Sequence, residues 1–461
     1  MTEAFLNELR SIAVNVLTGD RIGADYTHDE LPGGRAFVPD AVVEVSSEEE
    51  VSSVLKLCSD NGIPVTVRGA GTGLVGGSVA INGGIVMSMK GMDKIGEYDE
   101  ENLCVDVQPG VLLQDLKADA DKHNFLYAPD PGEKTATVGG NASTNAGGPM
   151  AFKYGSTRDN ILAAHVVLPT GELIKLGSVT RKNNSGYALL QLILGSEGTL
   201  GVITELTCKL HPKVKAEVSL ILPFPDSDSC INAARKIIAE QLDLSVVEYI
   251  DTELVEFSGK ITGSPVFPVT QNGDPVGASL LITIEGKSDD ELDSAMEAVA
   301  EMSEELGCLD ILVVDTPSLK RDVWAAHDAF HTSMEKAVNS IEINVAVPAS
   351  RMAEYIDWVK EESARLGLSS GIYGHVGDGG LHVHIYSDMD HDRFVSLAVP
   401  FCAEAQSRCA SYGGAVSSEY GIGYAWRDAL ADSIGSGPVE LMRRIKGAFD
   451  PAGILNPGKV I

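Results

Sequence analysis

The sequence predicts an α+β protein with two domains, and three observations support this fold class. The chain has 461 residues, which is more than one ordinary hydrophobic core accommodates. Up to about residue 212, short strand-like runs alternate with helical spacing and irregular glycine-rich loops. From about residue 215, longer strand-like runs alternate with long acidic helices. We therefore expect the chain to change domain close to residue 214.

Local signals place the elements of the first half. Apolar residues at helical spacing predict a helix over 3–17. Ser47 and Glu50 form a capping box that begins a second helix, and Asn61-Gly62 ends it. The other elements are strands over 63–67, 84–88 and 103–107 and a helix near 112–123, which follows the turn at Pro109-Gly110.

The second half is predicted from apolar runs and from acidic segments with helical spacing. Strands are expected over 216–222, 244–250, 279–285, 311–315 and 382–386. Helices are expected near 288–306, 351–366 and 391–412. No long repeat, low-complexity tract or flexible linker interrupts these elements.

Charge and hydropathy restrict the class of function. The formal net charge is −31, with 66 acidic and 35 basic residues, which argues against binding to nucleic acid or to anionic membrane surfaces. Such a charge suits docking to a basic patch on a partner, and it is equally typical of an acidic proteome. No apolar run approaches the ~18 residues that a membrane helix needs, and the first residues lack a secretory signal. We expect a cytoplasmic protein without an integral membrane segment.

The seven cysteines are scattered, and no two of them form a Cys-x-x-Cys pair. This usage is typical of buried, reduced thiols in a cytosolic protein. It argues against a disulfide framework, a zinc ribbon and an iron–sulfur site.

The most informative stretch of the first half is a glycine-rich loop over 67–78, which directly follows the strand predicted over 63–67. Five glycines lie between Gly69 and Ser78. Because glycine has no Cβ and accepts positive φ, such a loop brings backbone N–H groups close to a phosphate. A tight structural turn explains this loop alone equally well. The loop is neither a P-loop, since no Gly-Lys-Ser/Thr follows, nor a dinucleotide fingerprint, since no βαβ unit is complete.

Two further stretches resemble the first in composition. The stretch over 129–148 is dense in Gly, Asn, Ser and Thr, and a third glycine loop over 195–201 runs into a strand. One such loop is weak support for a ligand. Three in one half of the chain indicate a long, extended ligand bound largely by backbone groups.

The second half contains a cluster of candidate metal ligands. His375, His382 and His384 lie within ten residues, and Ser418-Glu419 follows later. His382 and His384 share one face of a strand, and His375 returns to them through a Gly-Asp-Gly-Gly turn. A single histidine is more often structural, but two imidazoles with a carboxylate suit Zn²⁺, Mn²⁺ or Fe²⁺.

The chain resembles the flavin domain of the vanillyl-alcohol oxidase / p-cresol methylhydroxylase superfamily. The branch with FAD-linked D-lactate dehydrogenases, D-2-hydroxyglutarate dehydrogenases and the flavoprotein subunit of glycolate oxidase is the most similar. The resemblance covers nearly the whole chain in one order. Its motifs are Arg68-Gly-Ala-Gly-Thr-Gly, Pro129-Asp-Pro, Thr137-Val-Gly-Gly-Asn, Asn145-Ala-Gly-Gly, Lys153-Tyr-Gly, Thr157-Arg-Asp, Gly195-Ser-Glu-Gly-Thr-Leu-Gly and Asn456-Pro-Gly-Lys.

The resemblance implies a PCMH-type FAD-binding domain and a cap domain with an antiparallel sheet. We divide the chain into an N-terminal helix (1–19), the FAD domain (20–214), the cap (215–415) and a tail (416–461) that returns to the FAD domain. The first loop has no histidine for covalent attachment, so non-covalent FAD is implied. The implied cofactor residues are Arg68, Gly69, Ala70, Gly71, Thr72, Gly73, Pro131, Thr135, Thr137, Gly140, Asn141, Thr144, Asn145, Gly147, Glu197, Gly198, Thr199, Gly201, Val202, Ile203 and Asn456.

The resemblance also implies a divalent metal held by His375, His382 and Glu419. Four positions depart from the usual pattern of the family. Gly380 stands where the family usually has Asn, and Tyr420 stands where the family usually has His, the expected general base. His327 lies near the position at which relatives often have an Arg that binds the substrate carboxylate. His384 stands where relatives often have an Asn within reach of substrate. We therefore expect His384 to take the substrate proton, Tyr420 to hydrogen-bond the substrate and His327 to help bind its carboxylate.

The function implied is an FAD-dependent dehydrogenase of a small D-2-hydroxy acid, lactate-like or glycolate-like. Electrons would leave to a separate acceptor, which is an electron-transfer flavoprotein, an iron–sulfur subunit or quinone. The four departures favour an alternative, an electron-relaying flavoprotein subunit with a degenerate alcohol-oxidising site. A sugar-lactone or aldose oxidase is a weaker alternative, because its relatives often have a histidyl-FAD loop.

Overall fold

The structure, a computed structural model, describes residues 1–263, 266–337 and 339–461. The chain forms two compact units. The first unit contains residues 1–147, 155–213 and 420–461, and the second contains residues 148–154 and 214–419. The mixed helix and sheet content confirms the predicted α+β class.

The first unit is built on two sheets, each with its own hydrophobic core. In the four-stranded sheet, the first two strands are antiparallel and the others are parallel. Its strand order is Asn15–Leu17, Ala41–Glu44, Ile85–Ser88 and Val65–Arg68. The second sheet is antiparallel, in the order Ile95–Asp99, Cys104–Val107, Val202–Lys209, Ile161–Val167 and Leu173–Gly177. A short ribbon pairs Phe125–Leu126 with His211–Pro212.

The helices of the first unit include three that the sequence predicted and several that it did not. They are Glu3–Ile12, Glu48–Asn61, Leu113–Lys122, Val138–Thr144, Leu189–Ile193, Arg427–Ile434 and Ser436–Phe449. The 3₁₀ turns are Gly19–Arg21, Ala24–Tyr26 and Thr157–Asn160.

The helix predicted over 3–17 is wrong in its second part. The helix ends at Ile12, and residues 15–17 form a strand that pairs with Ala41–Glu44. Leu9, Ala13 and Val16 are all buried, and their spacing of four and three residues fits a helix equally well. Pairing with the sheet therefore overrides a local pattern that does not distinguish the two.

The predicted start and end of the helix Glu48–Asn61 are confirmed with one change. Ser47 Oγ accepts a hydrogen bond from the Glu50 N–H at 3.2 Å, as a capping box requires. The Glu50 carboxylate accepts one from Ser46 N at 2.8 Å, one residue earlier than the box predicts. Gly62 ends the helix at φ +64°, in the left-handed region.

The second unit contains a seven-stranded antiparallel sheet, which confirms the antiparallel sheet expected for the cap. Its strand order is Leu312–Val314, Ala216–Phe224, Ala278–Gly286, Leu244–Asp251, Ser369–His375, Gly380–Ser387 and Asn339–Ala346. A small ribbon pairs Thr270–Gln271 with Asp274–Pro275. The sequence analysis missed the strands Asn339–Ala346 and Ser369–His375.

The helices of the second unit alternate along the chain with the strands of this sheet. They are Ala151–Tyr154, Ser227–Ala239, Thr252–Thr262, Asp289–Glu305, Pro317–Ala337, Met352–Arg365 and His391–Ser411. The helix Pro317–Ala337 packs Val323 and Phe330 into a core with Ile250 and Tyr373 of the sheet. Within the described ranges, no helix has both the length and the apolar character that crossing a membrane requires.

Candidate flavin site and candidate metal centre

The three glycine-rich stretches, which are far apart in sequence, meet in the first unit. Gly69 of the first loop lies so close to Thr137 of the second stretch that a Cβ at Gly69 would overlap the Thr137 hydroxyl. The second stretch meets the third where Glu197 N donates to Ser143 O at 2.7 Å. The closing tail joins them, since Asn456 Nδ2 donates to Glu197 O at 2.7 Å. These contacts create one region lined by backbone groups.

The first loop has the properties of a cradle for an anionic ligand. Residues 69–74 and 77 are half-buried, and no carbonyl of the described residues accepts a hydrogen bond from the backbone N–H groups of 69–77. Backbone donors of folded proteins nearly always have a partner, so such a run requires water or a ligand. Gly71 lies at φ +85°, where side chains rarely occur. The loop therefore fits a pyrophosphate held by backbone N–H groups.

The Arg68 side chain holds the loop in place. Its guanidinium donates to Asp25 O at 2.6 Å, to His28 O at 2.9 Å and to Ser78 Oγ at 3.3 Å. The side chain is buried, and these contacts tie both ends of the loop to the N-terminal segment.

A group of buried polar and charged side chains includes two predicted cofactor residues, Glu197 and Asn456, and also Lys459, for which no role was predicted. The Glu197 carboxylate accepts hydrogen bonds from Ile422 N at 2.7 Å and from Gly423 N at 2.8 Å, and burial raises its pKa. Lys459 Nζ donates to Asn456 Oδ1 at 2.5 Å. Burial lowers the pKa of Lys459 to about 7, although Asp29 and Glu197 oppose the shift. The tail is therefore fixed to the glycine stretches by buried polar contacts.

Other predicted flavin residues contribute to local structure. Thr144 Oγ1 donates to the Gly140 carbonyl, Thr199 Oγ1 donates to a carbonyl in its own loop, and Asn145 Oδ1 accepts from a backbone N–H. A Cβ at Gly201 would press on the side chain of a neighbouring strand. The remaining predicted residues, Ala70, Thr72, Gly73, Pro131, Thr135, Asn141, Gly147, Gly198, Val202 and Ile203, lie within these stretches or directly after them.

We expect acid precipitation to release all of the FAD from purified protein. Residues 68–73 include no histidine or cysteine, so we expect the cofactor to be held without a covalent bond. The measurement is the flavin absorbance of the supernatant and of the washed pellet. Yellow pellet protein would show a covalent link elsewhere in the chain.

The second unit brings the three predicted metal ligands together. His375 Nε2 lies 2.7 Å from Glu419 Oε1, and His382 Nε2 lies 3.7 Å from Glu419 Oε2. Asn344 positions Glu419, because its Oδ1 accepts a hydrogen bond from the Glu419 N–H at 2.8 Å. The two imidazole nitrogens and the carboxylate thus converge from two strands and a following loop.

Two buried carboxylates fix the orientation of these imidazoles, and the sequence analysis missed both. His375 Nδ1 donates to Glu248 Oε1 at 2.6 Å, and His382 Nδ1 donates to Glu342 Oε1 at 2.9 Å. Both Nε2 atoms face Glu419, so as neutral imidazoles with the proton on Nδ1 both histidines would ligate a metal there. A histidine that ligates a metal typically donates its other N–H to a carboxylate in this way, so the donor set fits a divalent cation.

The electrostatics of the centre favour ionised carboxylates that need positive charge nearby. Burial opposes ionisation of Glu248, but the charge of His375 and hydrogen bonds from His327 and His375 lower its pKa to about 2. Burial likewise opposes ionisation of Glu419, and the charge of His375 lowers its pKa. Buried carboxylates are costly unless cations or protons balance them. A metal ion at Nε2 of both histidines would supply that charge.

The residues predicted to act on substrate occupy different positions. His327 is buried with Nε2 3.2 Å from Glu248 Oε2, and so lies next to the carboxylate that orients His375. His384 Nε2 lies 3.9 Å from Glu342 Oε2. Tyr420 directly follows Glu419 in the chain and is half-buried. The catalytic roles of the three stay predictions.

Gly380 lies close to a predicted metal ligand. A Cβ there would lie 3.2 Å from Asp378 Oδ1 and 3.3 Å from His375 Cδ2, so a side chain at this position would require small shifts of these two neighbours.

Comparison with known proteins defines the class of protein. A family model described as FAD linked oxidases, C-terminal domain, matches residues 213–460, and a model described as FAD binding domain matches residues 39–177. Together with the fold, these matches define an FAD-dependent oxidoreductase. The chain belongs to the FAD-linked oxidase family, as the resemblance of its motifs implied.

Individual relatives match over almost their whole length. A D-lactate dehydrogenase of Anaerostipes hadrus is 44% identical over 463 residues, which cover 100% of this chain and 98% of that protein. A glycolate oxidase subunit of Bacillus subtilis is 31% identical over 94% of this chain and 91% of that protein. A solved structure of p-cresol methylhydroxylase with substrate bound has a TM-score of 0.81 at 19% identity, covering 100% of this chain and 97% of that one, and shares the fold.

Proposed function

We propose that the protein is an FAD-dependent dehydrogenase that oxidises a small D-2-hydroxy acid, lactate-like or glycolate-like, to the 2-oxo acid. The observation that carries this proposal is the convergence of His375 Nε2, His382 Nε2 and Glu419, with both Nδ1 atoms bound to buried carboxylates. Similarity to a D-lactate dehydrogenase and to a glycolate oxidase subunit supports the substrate class.

The residues of the centre have separate tasks in this reaction. His375, His382 and Glu419 would hold a divalent ion, which would supply Lewis-acid polarisation of a 2-hydroxy acid. FAD, when bound, supplies the acceptor for the hydride that leaves C2. Glu248 keeps His375 in the tautomer that binds the ion through Nε2. The O–H proton passes to a base of this chain, so that C2 and its oxygen become a carbonyl.

Reduced flavin must pass its electrons onward, and we propose a separate protein as acceptor. The sequence has no cysteine spacing for an iron–sulfur cluster, and the grouped metal ligands among the described residues are histidines and glutamates. An electron-transfer flavoprotein or an iron–sulfur subunit fits this role. The name of the Bacillus subtilis relative, a subunit of glycolate oxidase, supports a complex.

An anaerobic spectral screen tests the proposal. Purified, FAD-loaded protein is mixed with D- and L-lactate, glycolate and D-2-hydroxyglutarate, and the loss of the visible flavin absorbance is followed. We expect a D-2-hydroxy acid to bleach the flavin and its L-enantiomer to leave it oxidised. If no hydroxy acid bleaches it, the electron-relaying alternative replaces this function.

We expect His384→Gln to slow flavin reduction by about 10²–10⁴-fold, with FAD and the metal at His375, His382 and Glu419 retained, and Tyr420→Phe to cost far less. An imidazole has an ordinary pKa near the working pH, whereas the phenol of tyrosine, at ~10, is poorly matched to proton removal. Stopped-flow reduction by the substrate found in the screen gives both rates. A severe defect in Tyr420→Phe with a nearly silent His384→Gln would reverse the two roles.

A further inference from the structure

A second group of potential metal ligands lies beside the centre described above. It consists of the imidazoles of His331 and His384 and the carboxylate of Glu342, whose ligand atoms all lie within 4.8 Å of one another. His331 belongs to the helix Pro317–Ala337, and the other two belong to neighbouring strands of the seven-stranded sheet. The three groups therefore come from separate elements of one unit and meet at one point.

Glu342 links this group to the first centre. Its Oε1 accepts the hydrogen bond from His382 Nδ1, while its Oε2 accepts one from His331 Nδ1 at 2.7 Å. His384 Nε2 lies 3.9 Å from the same Oε2. One carboxylate oxygen thus orients a ligand of the first centre, and the other faces two different imidazoles. A cation between these three would replace the proton that His331 shares with Glu342.

The sheet and one aromatic ring hold the second group in a fixed arrangement. Glu342 lies directly opposite His384 in the antiparallel pair, so their side chains share a face. The ring of Tyr373 stacks on His384 with centroids 5.8 Å apart and planes 8° apart. It stacks on His382 as well, at 4.5 Å and 11°. Ligands fixed by packing in this way satisfy a metal without rearrangement.

Three carboxylates of the described residues contact the histidines of the two groups. The side chain of Glu342 is 6% exposed, and its two oxygens face His382, His331 and His384. Glu248 and Glu419 contact His375. One divalent ion balances the charge of two carboxylates, so these three leave room for a second ion, and with two ions and neutral imidazoles the described carboxylates leave one positive charge to attract a carboxylate of the substrate.

We propose that His331, Glu342 and His384 bind a second divalent cation of the Zn²⁺, Mn²⁺ or Fe²⁺ class. Two imidazoles and a carboxylate are the same donor set as in the first centre and suit the same ions. We further infer that this ion attracts the substrate carboxylate. That second step rests on the proposed function, whereas the cation site does not. This site and the base role expected for His384 are alternatives, since an ion at His384 Nε2 excludes that nitrogen from acting as the base, and the metal count of His384→Gln decides between them.

Metal counting in FAD-loaded, full-length protein tests the site. The protein is stripped with a chelator, dialysed against Zn²⁺ or, separately, Mn²⁺, and its metal is measured per FAD. We expect two ions per chain in the unchanged protein, one in His331→Ala and one in His384→Gln. His375→Ala should also keep one. His123→Gln, at a partly exposed histidine of the first unit, serves as the matched control and should keep two.

Location and consequence need their own measurements. Anomalous scattering at the zinc edge from crystals should give one peak at His375, His382 and Glu419 and a second peak between His331, Glu342 and His384. In His331→Ala the second peak is expected to vanish and the peak at His375 to stay. One ion in the unchanged protein, or two in both His331→Ala and His384→Gln, would overturn the site. These counts hold whether or not any hydroxy acid bleaches the flavin, so the cation site and the proposed function fail separately.

The role in carboxylate binding is read from kinetics. His331→Ala, with its first ion in place, is expected to raise the D-hydroxy acid concentration for half-maximal flavin reduction by about 10- to 100-fold, the range for a lost charged contact. An unchanged concentration would refute that role and leave the metal counts to decide the site itself.

Discussion

His375→Ala and His382→Ala are each expected to lose the first metal ion and to slow flavin reduction by a 2-hydroxy acid at least about 100-fold. Each change removes one of the two imidazoles that meet at Glu419. A bound metal supplies several kcal/mol of charge stabilisation, and each 1.36 kcal/mol corresponds to a factor of ten in rate. Metal analysis, flavin absorbance and anaerobic stopped-flow reduction measure the three quantities. FAD should be retained, because both histidines belong to the second unit.

Glu248→Gln gives a sharper version of this test, because it leaves every ligand in place. The amide is a weaker acceptor for His375 Nδ1–H than the carboxylate, so His375 is oriented less firmly. Removal of such a partner typically costs 10- to 100-fold in metal affinity or activity. Glu285→Gln is the matched control: Glu285 is another buried carboxylate of the same sheet, and it binds Lys153 and Tyr154 instead of a histidine.

The pair of glutamate variants separates a metal centre from a purely structural cluster. Glu248→Gln should weaken metal binding, whereas Glu285→Gln should leave it unchanged. Full metal occupancy in His375→Ala and in His382→Ala would contradict the assignment of these histidines as ligands. Equal metal loss in both glutamate variants would attribute the effect to disturbed packing of the sheet.

The glycine stretches could be read from the sequence because their chemistry is local. Gly71 and Gly198 have positive φ, and only a short segment rich in glycine provides such backbone at several points. The capping residues Ser47 and Gly62 were likewise predicted from their own neighbours. Such signals need no knowledge of the rest of the fold, so they were found in one sequence.

The carboxylates behind the metal ligands could not be found in this way. Glu248 lies 127 residues from His375, and Glu342 lies 40 residues from His382. Only the register of the sheet places each of them beside its histidine, and the strand that contains Glu342 was not predicted. His331 shows the same limit, since it reaches the layer from a helix that the sequence analysis missed.

Gly71→Ala is expected to lose stable FAD binding, so that FAD does not stay with the protein. Gly71→Glu is expected to show no FAD binding at all. Gly71 lies at φ +85°, and a Cβ there would overlap the Arg68 guanidinium. That guanidinium is held by the carbonyls of Asp25 and His28, so it cannot move aside without breaking two partly buried hydrogen bonds. The loop must shift instead, and its backbone N–H groups leave the positions in which they would meet the pyrophosphate.

Gly132→Ala is the matched control for the loop variant, because a Cβ at Gly132 would meet no atom within 4 Å. It changes a glycine of the second stretch without crowding a neighbour, so it should keep one FAD per chain. Flavin absorbance per protein after gel filtration measures retention, and thermal unfolding of the apo forms shows whether Gly71→Ala is folded. A folded Gly71→Ala that retains stoichiometric FAD would exclude the first loop from the cofactor site, since the shifted backbone could then not be what holds the pyrophosphate.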